Sequence, residues 1–316
     1  MRFRRLPNTE LDLSIIGMGC WAMGGLWWGD DVSDDRSIAA VHRALDLGIN
    51  WFDTAPLYGH GRADEVLVRA LGPRRRDVLI ATKVGVRWDG EGQHARSDLQ
   101  RAWLVADVEA SLRRLGLEQI DLLQVHWPCE SATPLAESMG ALRELQTQGK
   151  VRYVGLCNYD AAGLGEARQH IAIASLQSPY SMLRRELEHE TLPYCQRENI
   201  GVLAYEPLCR GLLTGKFKAN ARFPDTDLRA RDDRFTGSRF LRALTIVSRL
   251  ELIARRHHLP VAALALGWAL RQPGLTAVIA GAKGPEQVTE HAATLDALDN
   301  EPMWAEVERV VAAYRG

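Results

Sequence analysis

Eight short apolar runs, each followed by a segment with helical periodicity, constrain this chain more than any other feature. They are SIIGMG (14–19), WFDTA (51–55), VLIATKV (78–84), DLLQVHW (121–127), YVGLCN (153–158), ASLQSPY (174–180), GVLAYEP (201–207) and AVIAGA (277–282). Apolar throughout rather than alternating, they fit strands covered on both faces, as parallel sheets are. Between the first two runs, Ser33 with Asp34 and Asp35 reads as a cap and acidic first turn. Ile38, Val41, Ala44 and Leu45 then fall on one face, and Gly48 ends the helix. Pro134 and Pro285 stand where first helical residues belong, and Gly116 and Gly149 where helices stop.

Strand then helix, repeated eight times, predicts an α/β fold that closes as a (β/α)8 TIM barrel rather than an open doubly wound sheet. No linker or low-complexity stretch divides the chain, so residues 1–316 are expected to form one barrel domain. Two segments fall outside the repeat. Residues 1–13 read as a β-hairpin around Pro7-Asn8-Thr9 at the barrel bottom. Residues 208–258 read as a long basic insertion carrying an amphipathic helix at about 239–258. A further C-terminal helix is expected over about 302–314.

The 39 Lys and Arg against 40 Asp and Glu, a net charge of −1, disfavour a nucleic-acid or anionic-membrane partner. No 18-residue apolar stretch occurs, and none follows the basic start MRFRRLPNTELDLS, so a cytoplasmic protein is expected. Five cysteines, Cys20, Cys129, Cys157, Cys195 and Cys209, lack CxxC or zinc-type spacing and read as reduced thiols.

Two glycine motifs invite a nucleotide reading and fail it. Gly17-Met-Gly19-Cys20-Trp21-Ala22 matches G-x-G-x-x-A after a strand, but a Rossmann site needs its helix to start there. Here a loop follows and the helix waits until Ser33, so the glycines read as a tight turn. Gly211 to Lys216 looks like part of a phosphate loop, yet Arg210 stands where glycine is required and Phe217 replaces the Ser/Thr ligand. Arg255-Arg256-His257-His258 reads as a solvated helix face, and no metal site is expected.

In a barrel, side chains at the C-terminal strand ends converge on one mouth. Asp53 ends the second strand, Tyr58 follows in its loop, Lys83 ends the third and His126 ends the fourth. Singly they read as a turn residue, a loop aromatic, a surface lysine and a core histidine. Together they form an acid with a means of activation. A tyrosine titrates near 10, and an adjacent lysine ammonium favours phenolate and lowers that value. Asp53 can pair with Lys83, and His126 can hydrogen-bond a substrate oxygen, an arrangement suited to protonating an oxygen as hydride reaches its carbon.

At these residues the chain resembles the aldo-keto reductases, from the opening hairpin to about residue 298. The resemblance rests on Asp53-Thr-Ala-Pro-Leu-Tyr58-Gly59 with Glu65, Ala81-Thr-Lys83, Ser111 to Gly116 with Ile120 to His126, Gly149-Lys-Val-Arg152, and the Gly211 to Lys216 loop. It implies that Tyr58 is the general acid, that Lys83 and Asp53 tune it, and that His126 orients a carbonyl reduced by NADP(H). The Trp27-Trp28 pair, Arg96 and Cys209-Arg210-Gly211 resemble bacterial members of stress-response or inositol and sugar loci.

The same resemblance places a diphosphate on Pro207, Leu208, Arg210, Gly211, Leu213, Gly215 and Lys216. It places the adenosine end, with its 2′-phosphate, by Gly281, Ala282, Lys283, Gln287, Glu290 and His291. Lys283 is the reason to expect NADP rather than NAD. The nicotinamide is implied at Gly19, Cys20, Trp21, Cys157, Asn158, Gln177 and Tyr205. Cys157 departs from the usual serine, Glu206 from serine and His291 from asparagine. Trp21, Trp28, Trp88 and Trp127 are expected to wall the pocket for a small carbonyl substrate. A cofactor-sensing barrel with weak catalysis is the alternative, disfavoured by the intact tetrad.

Overall fold

The computed structural model describes residues 1–88, 95–129 and 133–314. Each apolar run contributes one parallel strand: β1 (Ile16–Gly19), β2 (Trp51–Asp53), β3 (Leu79–Val84), β4 (Ile120–Val125), β5 (Val151–Cys157), β6 (Ser175–Pro179), β7 (Gly201–Tyr205) and β8 (Leu275–Gly281). Neighbours in sequence pair in parallel, and β8 returns to β1 from Val278↔Ile16 to Gly281↔Gly19. The sheet closes and has no edge.

The strands are apolar on both faces because they serve two cores. Met18, Phe52, Ile80, Leu123, Val154 and Val278 belong to the outer core under the helices, whereas Trp51, Ala81, Leu122, Leu203, Ala277 and Ile279 fill the interior. Gly17 makes room for this filling, since a Cβ there would lie 2.2 Å from the Trp51 ring. Two residues beyond the inward Trp51, Ala81 and Leu122, the same register brings Asp53, Lys83 and Gln124 inward. The polar layer of the mouth follows from this period of two.

The hairpin closes the other end. Phe3–Arg5 and Asp12–Ser14 pair antiparallel, and Leu6, Leu11 and Leu13 join the interior cluster, each fully buried. Each such leucine contributes about 1.5–3 kcal/mol by leaving water. Trp51 Nε1 donates to the Ser14 carbonyl at 2.8 Å and ties the plug to β2.

The helices are α1 (Asp34–Asp46), α2 (Arg62–Leu71), α3 (Arg101–Leu115), α4 (Leu135–Thr147), α5 (Ala161–Ala167), α6 (Thr191–Arg197), α7 (Gly237–Arg256), α8 (Val261–Arg271), α9 (Pro285–Ala292), α10 (Thr294–Ala297) and α11 (Glu301–Ala312). Ser33 caps α1, accepting from the Arg36 N–H. Its buried face centres on Ser37, Ala40, Val41 and Ala44, with Ile38 and Leu45 half-buried beside it. Pro285 is the first residue of α9, whereas Pro134 is the extended residue before α4, one place earlier than expected.

The insertion after β7 forms three short 3-10 turns and then α7, which starts two residues before the expected helix. Its basic character is offset within the segment: Arg229 pairs with Asp227, and Arg234 with Asp232. The helix expected over 302–314 is α11, capped by Asn300. Among the described residues no helix is long and apolar enough to cross a membrane, and no group of three or more His, Cys, Asp or Glu side chains is placed to hold a metal ion.

Candidate active site

The tetrad residues come together at the C-terminal mouth of the barrel. Lys83 Nζ lies 2.6 Å from Asp53 Oδ1 and donates also to the Thr54 carbonyl at 3.0 Å. The same nitrogen stands 4.9 Å from the centre of the Tyr58 ring. The His126 and Tyr58 rings meet nearly perpendicular, 6.0 Å between centroids, and His126 lies flat against Trp127 at 4.2 Å.

Loop contact sets Tyr58. Gly24, in the turn after β1, touches the backbone of Tyr58 and Gly59 so closely that a Cβ on Gly24 would lie 2.6 Å from the Gly59 nitrogen. Only a residue without a side chain fits there, and Gly59 itself has φ +61°. Trp21, in the same turn, stacks on Tyr58 at 6.1 Å and meets Trp28 edge-on at 5.1 Å.

Burial dominates the electrostatics. It pushes the Tyr58 hydroxyl well above its ordinary value, and the Lys83 ammonium pulls down without reversing it. The net lowering expected from the lysine therefore does not occur, and Tyr58 holds its proton at neutral pH. Burial alone would weaken Lys83 as a cation, but the Asp53 carboxylate outweighs it and the lysine is held charged. Burial and then the Lys83 charge lower His126 well below the usual histidine range, so its imidazole is neutral. Its buried Nδ1 has no partner among the described residues.

Further residues support the set: Gln177, expected only at the nicotinamide, and Gln124, Thr54, Asp64 and Arg114, to which the sequence assigned no role. Gln124 and Gln177 both turn their amide nitrogens to Asp53 Oδ2, at 3.3 and 2.7 Å. Thr54, whose carbonyl receives Lys83, donates its hydroxyl to Asp64 Oδ1 at 2.6 Å, and Arg114 Nε holds the other Asp64 oxygen at 2.7 Å. Gln124 was discoverable from its place two residues before His126, in the same inward register.

A cleft of about 710 Å³ runs from this set across the strand ends to α9. Gly19, Trp21, Trp28, Asp53, Tyr58, His126 and Trp127 line its tetrad end. Asn158, Gln177 and Tyr205 line its middle, where Tyr205 donates to Asn158 Oδ1 at 2.9 Å and Asn158 donates to the His126 carbonyl at 3.0 Å. Pro207, Leu208, Arg210, Gly211, Gly215 and Lys216 follow, and then Gly281, Ala282, Lys283, Gln287, Glu290 and His291. Trp27, beside Trp28 in the same loop, also lines it, as do Arg184, Thr214 and Arg229, to which the sequence assigned no part.

Several expected contacts are placed elsewhere. Trp88 stacks on His60 at 5.2 Å and is outside the cleft lining. Its strand, Val86–Trp88, pairs with Ala95–Ser97 and turns it toward that histidine. Cys20, Cys157 and Leu213 are fully buried and lie behind the wall rather than on it. Gln177 commits its amide nitrogen to Asp53 and Gln124, which leaves its carbonyl oxygen as the group it can offer a ligand. Arg210 is held by Glu206 at 2.6 Å and Asp232 at 3.0 Å, and Arg234 completes the ring at 2.8 and 2.6 Å to the same two acids. Lys283 donates to Asp31 at 2.5 Å and to the Trp28 carbonyl at 2.6 Å. Lys216 has no carboxylate partner among the described residues. Burial and the Arg229 and Lys283 charges lower its pKa, which marks a place that favours an anion.

The sequence pattern described as the Aldo/keto reductase family matches residues 15–312. Aldo-keto reductase YhdN of Bacillus subtilis is 37% identical over 291 residues, covering 91% of this chain and 87% of its own. The NADH-specific methylglyoxal reductase of Escherichia coli is 33% identical and covers 92% of both chains. Among solved structures, the glycerol dehydrogenase AKR11B4 from Gluconobacter oxydans superposes with a TM-score of 0.89 at 36% identity, covering 98% of this chain and 95% of its own.

Proposed function

The chain belongs to the aldo/keto reductase family and is an oxidoreductase of carbonyl and alcohol groups; from that premise we propose that it reduces aldehydes, ketones or sugar carbonyls with NADPH, using Tyr58 as general acid. The observation that carries this reading is the buried Asp53–Lys83 pair beneath a tyrosine that keeps its proton, opposite a neutral histidine.

The cleft fits a dinucleotide. Its length spans the tetrad and the start of α9, and Lys216 is a cation awaiting an anion. When bound, the nicotinamide supplies or accepts hydride. Asn158 and the Gln177 carbonyl oxygen would hold its amide and Tyr205 its face. The backbone from Pro207 to Gly215, with Lys216, would hold the diphosphate. Gly281, Ala282, Gln287, Glu290 and His291 would frame the adenosine, with Lys283 beside its 2′-phosphate.

The protein's own groups then act on the substrate oxygen. Neutral His126 can donate one ring N–H to it and fix the carbonyl, while Tyr58 delivers its proton as the carbon gains hydride. The resulting phenolate is stabilised by the Lys83 ammonium, which Asp53 orients. Trp21, Trp28 and Trp127 wall this end and exclude water. Reversed proton flow gives alcohol oxidation at the same site.

We place this activity in the cytoplasm, acting on small molecules, in keeping with five cysteines of which none forms a disulfide. The test is consumption of NADPH or NADH, followed by absorbance, with dicarbonyls, aromatic aldehydes and aldoses. Turnover with at least one class supports the proposal, and none with either nucleotide across all three contradicts it.

A further inference from the structure

The 2′-phosphate end of the cleft is already supplied with negative charge by the protein itself. Lys283, the cation assigned to that phosphate, is not free: its ammonium sits between Asp31 Oδ1 and the Trp28 carbonyl. Nearby Arg229 is bound to Asp227, and Arg36 of α1 to Glu286, at the start of α9, at 2.8 Å. Lys216, close enough to feel the Lys283 and Arg229 charges, has no carboxylate in ion-pair contact among the described residues.

We propose that Asp31 sets the cofactor preference of this chain, holding Lys283 as an internal counter-anion and so weakening selection for a 2′-phosphorylated nucleotide over its unphosphorylated form. The inference rests on the nicotinamide-nucleotide reading above. A ligand with a phosphate at Lys283 must displace Asp31 from the ammonium or share it, within a few ångströms of a second negative charge. A ligand with a plain ribose leaves the pair intact. Burial sharpens the competition on one side only: the lysine side chain is 19% exposed, whereas Asp31 is 75% exposed and can swing into water when displaced. The carboxylate therefore tempers the preference for phosphate without abolishing it. The chain accepts both nucleotides, with NADPH favoured only modestly.

The test is direct binding of NADPH and NADH, read by quenching of tryptophan fluorescence, in the wild type, Asp31→Asn and Asp31→Ala. Both replacements remove the charge, and Asn retains an acceptor for Lys283. The expected result is NADPH bound about fivefold tighter by both variants, the size of one exposed ion pair, with the NADH Kd unchanged. The gain should shrink as salt is raised from 50 to about 500 mM, because the effect is one of charge near the surface. Equal effects on the two nucleotides, or none on either, overturn the role of Asp31 while leaving the cofactor reading intact. Failure of the wild type to bind either nucleotide overturns both. Lys283→Met separates the partners: it should lower NADPH affinity toward that for NADH, and its combination with Asp31→Asn should show no further gain.

Discussion

Lys83 Nζ and Asp53 Oδ1 lie 2.6 Å apart with 1% and 4% of their side chains exposed, a charge pair sealed into the floor of the cleft. Removing one member strands the other. Lys83→Met should therefore cost about 3–5 kcal/mol of stability, the usual consequence of an uncompensated buried charge. Adding Asp53→Asn should recover a substantial part, because the stranded carboxylate is then neutral. Urea unfolding of the two single variants and the double variant measures the coupling. A double variant no more stable than Lys83→Met would show that the pair is not coupled as the geometry implies. Neither Lys83 variant should reduce carbonyls at more than a small fraction of the wild-type rate.

Tyr58→Phe should abolish the proton transfer while leaving the stack with Trp21, so kcat for reduction falls by about 10²–10⁴-fold and the nucleotide Kd stays within about twofold. Stopped-flow turnover and fluorescence titration read the two quantities separately. Survival of the wild-type rate would remove Tyr58 from its role. Because burial raises the tyrosine and lowers His126, both keep their active protonation states through neutral pH. The reduction rate constant should accordingly show no inflection between pH 6 and 8.

The contrast between these two residues shows what the sequence carried and what it did not. The barrel was legible because parallel strands need apolar residues on both faces, and eight such runs stand in register with eight helical segments. Asp53, Lys83 and His126 were legible because each falls at a strand end, and Tyr58 because it follows in the loop after one, where topology fixes the destination. The direction of the Tyr58 shift was not, since it depends on how thoroughly the ring is buried. The partner of Lys283 and the second partner of Arg210 were equally hidden, whereas Glu206 stands only four residues before Arg210. Asp31 and Asp232 come from distant loops, and nothing local in the chain announces that they meet these cations. Trp88 and Cys157 were misplaced for a related reason: proximity to a strand end does not decide which side of the wall a side chain occupies.

Glu206, Arg210, Asp232 and Arg234 close a ring of ion pairs around a turn in which Glu206, Cys209 and Arg210 all have positive φ. Such backbone costs on the order of 1–3 kcal/mol per residue and persists only where surroundings enforce it. The ring links the turn to the insertion and holds it in place before a ligand arrives. Arg234→Met should then relax the turn, raising KM for nucleotide by about five- to tenfold with kcat little changed. Steady-state kinetics with the nucleotide varied tests this; a fall in kcat at unchanged KM would assign the ring to the chemical step instead.

His291, on the buried face of α9, is pushed by burial from 6.5 to about 4. Its folded pKa lies below its unfolded one, so the unfolded chain binds the extra proton first as pH falls. Stability from this residue is complete above about 6.5 and drains away between 6.5 and 4. The depression corresponds to roughly 3 kcal/mol at the acid end. His291→Asn removes the titration while leaving the other acids and histidines common to both proteins, so the difference in unfolding free energy isolates this group. Wild type should lose roughly 2–3 kcal/mol relative to the variant between pH 7.5 and 4.5. Denaturant unfolding at several pH values measures the slope, and parallel curves for the two proteins would mean that His291 is solvated or protonated in the folded state.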